Sequence, residues 1–157
     1  MKFLSRVVWS EGMHLGPHHF QLQSRYFEDS IRFATSALWF EAWGLAGYAV
    51  DAEALRNGTV SLLHARGLFR DGLPFQMPES DPLPAARSLA DLFPPHRDSC
   101  LVSIGVPERK SNGLNCLNDG QGSAEAIRFT GELRPYPDEI TGADEKPVRV
   151  GRKNIRL

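Results

Sequence analysis

From Pro17 to about Phe40 the chain runs without an internal glycine or proline, and that uninterrupted stretch restricts its fold more than any other feature. Gly16-Pro17 opens it. Proline at the first helical position lacks an N–H that a helix leaves unpaired there anyway, and its fixed φ already suits the helix. Phe20, Phe27, Ile31, Ala34 and Leu38 recur at steps of seven, four, three and four, so they line one helical face. Gln21, Gln23, Arg25, Glu28, Asp29 and Arg32 occupy the rest. At about 1.5 Å per residue, the predicted helix over 17–40 is on the order of 35 Å long. That is a long rod for 157 residues, and part of it is expected to touch a neighbouring chain.

After Trp43-Gly44 the pattern changes to short apolar runs separated by turn residues. Asn57-Gly58 between 45–55 and 59–66, and Asp71-Gly72 between 67–70 and 73–77, each predict a tight hairpin. The segment 78–99 is rich in proline and reads as a surface loop, with 85–93 as a possible short helix. Leu101 to Val106 predicts a strand buried on both faces. The composition of 108–126 is that of a long loop. Ala126 to Tyr136 and Pro147 to Val150 are the last pairing candidates. One long N-terminal helix followed by six to eight short strands predicts a mainly β chain, an antiparallel β-sandwich over 44–150 with the helix added. The whole of 1–157 reads as a single domain, with 1–16 as an N-terminal arm.

Composition narrows the function. Lys and Arg number 18 against 19 Asp and Glu, which argues against a dedicated nucleic-acid binder. No apolar run is long enough to span a bilayer, and the N-terminus lacks a secretory signal, so a cytoplasmic chain without membrane insertion is expected. Cys100 and Cys116 are then expected as free thiols. No Gly-x-Ser-x-Gly elbow and no phosphate-binding glycine loop is present, so no catalytic residues, no resident metal and no cofactor are expected.

The segment Trp9-Ser10-Glu11-Gly12-Met13-His14-Leu15-Gly16-Pro17-His18-His19-Phe20 resembles the N-terminal signature of the TssK family, also called VasE or ImpJ, of the bacterial type VI secretion baseplate. Gln23 to Phe27, Trp43-Gly44, the Phe69-Arg70-Asp71-Gly72-Leu73-Pro74-Phe75 block and the tail Gly151 to Leu157 extend the resemblance to both ends of the chain. It is weakest over 78–126. Members of that family are much longer, which marks this chain as a fragment or a separately expressed domain. The resemblance implies a fold like the shoulder of phage receptor-binding proteins and a structural adaptor. Its partners would be the TssF–TssG wedge and, through a C-terminal part outside this chain, the TssL/TssM membrane complex. The full-length protein would be a homotrimer.

Trp9, Met13, His14, Leu15, His18, His19 and Phe20 are the candidate partner-binding residues. Gly12 and Gly16 let the chain turn sharply between large apolar groups, and Trp and Met are favoured interface anchors. The competing reading has the same side chains closing the domain's own core. Two further alternatives remain: a glycan-binding module using Trp39, Trp43 and Tyr48, and a metal hydrolase built on His14, His18 and His19.

Overall fold

The computed structural model describes residues 5–90, 99–111, 113–118 and 126–157. The chain divides into two compact units. Unit one comprises 1–46 and 67–74. Unit two comprises 47–66 and 75–157.

Unit one is organised by helix α1, Pro17–Leu38. It starts where the Gly16-Pro17 pair requires, with Gly16 in an extended conformation (φ -125, ψ 164) and proline in the first turn. It stops two residues short of the predicted end. Trp39 is already extended (φ -128, ψ 131), although its N–H still reaches the Thr35 carbonyl at 3.0 Å. No residue of α1 is buried. The second part of unit one is the predicted Asp71-Gly72 turn. The Gly72 N–H donates to the Phe69 carbonyl at 2.9 Å and the Phe69 N–H to the Leu73 carbonyl at 3.0 Å. Gly72 has φ +82, and a Cβ there would lie 3.0 Å from the stem of Arg32. Only glycine meets both demands, and this close approach is where α1 meets the turn.

The strands form three small sheets. The first has the order β1-β3-β4, from Gly44–Val50, Leu62–Leu68 and Pro74–Met77. The second pairs β2 (Thr59–Val60) with β5 (Arg87–Ser88), antiparallel, Thr59 opposite Ser88. The third has the order β6-β7-β8, from Cys116–Leu117, Phe129–Tyr136 and Lys146–Lys153. The chain is thus mainly β, with antiparallel sheets and a helix, apart from β6, which runs parallel to β7.

The core lies in unit two. Val60, Leu62, Ala65, Phe75, Met77, Ile127 and Ile155 are its buried apolar side chains. Alternation explains β4, where Phe75 and Met77 point in while Pro74 and Gln76 point out. Asp81 is buried beside them at 6% exposure. It accepts the Gln76 N–H at 3.0 Å and the Lys153 ammonium at 2.9 Å, which ties the loop after β4 to the end of β8.

Three sequence expectations are corrected. Asn57-Gly58 does not close a hairpin. A tight type I′ turn needs positive φ at both residues, and Asn57 has φ -88. Instead Asp51 accepts the N–H groups of Glu53 and Ala54 and starts a five-residue helix, α2 (Ala52–Arg56), and Gly58 at φ +75 follows its end. Leu101 to Val106 is not a strand. Its sole pairing among the described residues is the bridge of Gly105 with Arg156, and Leu101 is 93% exposed. The 85–93 island is extended at β5 rather than helical, because Gly58 and β2 offer it backbone partners, and its end from 91 on lies outside the described residues. Cys100 and Cys116 are free.

Candidate functional site

The arm is shaped by local bonds. The Met13 N–H donates to the Ser10 carbonyl at 3.4 Å across a turn in which Gly12 takes φ +76, and the Met13 sulfur lies 3.5 Å from the Ser10 nitrogen. At the helix start the Gly16 N–H donates to Nδ1 of His19 at 3.0 Å. The His19 N–H in turn donates to the Gly16 carbonyl at 3.0 Å. Glycine has no side chain to complete a capping box, so His19 supplies the side-chain half and the backbone supplies the other.

That bond orients His19 toward Trp9. The ring centroid of Trp9 stands 6.2 Å from that of His19 and 6.2 Å from that of Phe20, with tilts of 38° and 53°. The fold therefore gathers Trp9, His19 and Phe20 into one aromatic cluster, within the range where tilted rings attract. Met13 is half-buried against its own turn. His14, Leu15 and His18 are exposed and stand outside the cluster. Among the described residues no group of three His, Cys, Asp or Glu side chains is placed to hold a metal ion.

The cluster continues along α1. Phe20, Phe27, Ile31 and Leu38 are all exposed, Ile31 at 65%. Their spacing is that of the predicted apolar face, and none of these residues is buried among the described residues. Sequence reasoning did not anticipate Arg70. Its guanidinium sits 4.3 Å above the ring centroid of Trp43, covering one face of that indole. Trp39 is exposed in the same unit, and Tyr48 belongs to unit two. An open depression of about 620 Å³ in unit two is lined by Pro107 to Ser111 and Ala126. No helix of the described residues is long and apolar enough to cross a membrane.

Exposed aromatics on an arm and a bare helix face are the features of a protein that works by contact. The chain belongs to the bacterial type VI secretion family of EvfL, ImpJ and VasE, which it matches over residues 19–157. It is 31% identical, across its whole length, to the type VI secretion system baseplate component TssK1 of Pseudomonas aeruginosa strain PAO1. It spans about a third of that relative, 34% of its length. Among solved structures it resembles a crystal structure of TssK with a TM-score of 0.82 and 28% identity, over 98% of this chain and 34% of that one. It also has the fold of a chain in the TssK-TssF-TssG baseplate subcomplex, with a TM-score of 0.81 and 24% identity, over 99% of this chain and 50% of that one.

Proposed function

We propose that this chain is a cytoplasmic structural adaptor of the type VI secretion baseplate that docks, without catalysis, onto a TssF–TssG wedge through its arm and the start of α1. The observation that carries this reading is that no described residue of unit one is buried, while its apolar side chains line up from Trp9 through Phe20 to Leu38. Leaving that much apolar surface in water is unfavourable by about 25 cal/mol per Å², so a partner that covers it gains directly. The subcomplex in which the similar TssK chain stands with TssF and TssG supports the identity of the partner.

The finer features follow the same reading. The antiparallel sheets support a β-sandwich of the phage receptor-binding shoulder type. A homotrimer of the full-length protein would present three arms and multiply weak contacts. Contact with TssL and TssM would belong to the part of the full-length protein outside this chain.

A pull-down of the TssF–TssG wedge tests the arm. Trp9→Ala combined with Leu15→Ala is expected to cost at least about tenfold in affinity, as loss of central aromatic and aliphatic anchors does. Retention of wedge binding after deletion of residues 1–16 would remove the arm from the docking surface.

A further inference from the structure

The β7–β8 ribbon carries a second surface, unrelated to the arm. Its base is anchored in unit two by the Lys153–Asp81 pair and by the Asn154 side-chain amide donating to the Ile127 carbonyl at 2.7 Å. From Leu133 to Arg149 it is exposed on both faces. Strand β8 forms the edge of its sheet.

The register identifies which backbone groups face outward. Antiparallel ladders alternate between pairs that exchange hydrogen bonds and pairs that do not. The Asn154 N–H donates to the Arg128 carbonyl, and the Phe129 N–H donates away from β8 to the Asn115 carbonyl. Even-numbered residues of β8 therefore bond to β7, while Arg149, Gly151 and Lys153 point their N–H and C=O groups outward. Pro147 faces Pro135 at one of these odd positions, where a missing N–H costs the ladder nothing. Among the described residues, nothing pairs with the outward N–H and C=O groups of Arg149 and Gly151.

The charge on this edge is one-sided. Lys146, Arg149, Arg152 and Lys153 all lie on β8, which has no acidic residue. Arg152 and Lys153 have carboxylate partners in Glu132 and Asp81, and Lys146 has Asp144. Arg149 makes no ion pair among the described residues. A second copy is a poor occupant. Antiparallel self-pairing centred on Gly151 would set Arg149 opposite Lys153 of the other copy, and like charges directly opposite are unfavourable. Arg149, the basic residue of β8 without an ion pair among the described residues, favours a strand that carries a carboxylate instead.

We propose that β8 accepts an extended acidic segment of a different protein by strand addition, with the N–H and C=O groups of Arg149 and Gly151 as the pairing groups. The probe is an eight-residue peptide of alternating glutamate and valine, matched to the eight residues of β8, titrated into the full chain by NMR. Slowed exchange of the Arg149 and Gly151 amides is expected, with the Val148 and Val150 amides, already bonded to β7, unaffected. The same peptide N-methylated along its backbone keeps its charges and loses its pairing groups. It should bind at least about tenfold more weakly, the effect of losing a few hydrogen bonds of ordinary strength. Arg149→Pro should match that loss and Arg149→Ser should lose less. Equal affinity of the two peptides would reduce the surface to a charge contact and overturn the proposal. So would protection of the same amides that rises with chain concentration in the absence of peptide, which assigns the edge to a second copy. Protection by an oligonucleotide but not by the peptide would overturn it too.

Discussion

The two units handle the same kind of side chain in opposite ways. Unit two closes a core of seven described apolar side chains around Met77 at 1% exposure and ties a loop over them with an ion pair on the buried Asp81. Unit one has a longer helix and as regular an apolar pattern, yet buries none of its described residues. Periodicity says where apolar side chains align. It does not say what covers them, because a helix face fits its own sheet and a foreign surface equally well. In unit two the cover is the chain itself. In unit one, on the proposed function, it is left to a partner.

Substitutions in the two units sharpen or break that contrast. Met77→Ala should have the largest effect, a destabilisation of about 4 kcal/mol in urea unfolding, since it opens a cavity in a closed core. Ile31→Ala, the matching deletion on α1, should stay within about 0.5 kcal/mol, as surface changes do. Comparable losses at both sites would mean that α1 is covered within the chain. Next in size is Asp81→Ala, which strands Lys153 and leaves the Gln76 N–H without its acceptor. Breaking such a pair costs about 3 kcal/mol, at the low end for buried ions because Lys153 keeps some access to water. Asp81→Ala combined with Lys153→Met should recover part of it.

The smallest effect is one of pH, at the tip of the ribbon. Asp138 accepts the N–H and hydroxyl of Thr141 and the N–H of Ile140, and these bonds hold its carboxyl below its ordinary value of 3.8. A lowered value means the turn gains from the ionised form. That gain is complete above the ordinary value and is lost as pH falls through the lowered one. Amide exchange at Ile140 and Thr141 should therefore accelerate, relative to Val150, only in strong acid. Acceleration already at neutral pH would show that the turn is held by something else. In Asp138→Asn the acid step should vanish.

Part of the site was legible beforehand. The arm residues came from a resemblance in Trp9 to Phe20, while the grouping of Trp9 with His19 and Phe20 did not, because it depends on Nδ1 of His19 turning back to Gly16. The open edge of β8 was not legible either, because it required the register of β7 against β8. Asn57-Gly58 misled because the same dipeptide serves a hairpin and a helix end, and the Asp51 cap six residues earlier decided between them.

What the sequence alone determined is local. Gly16-Pro17 started the helix, Asp71-Gly72 made its turn, and the apolar runs after Gly44 made a mainly β chain, because each depends on φ preferences and side-chain period within a few residues. What only the tertiary structure decided is pairing and cover. It left Leu101 to Val106 without a ladder, ran β6 parallel to β7 and buried Asp81 against Lys153. It also left no described residue of α1 buried. These outcomes depend on which distant segment arrives to share a hydrogen bond or exclude water, and no local pattern records that arrival.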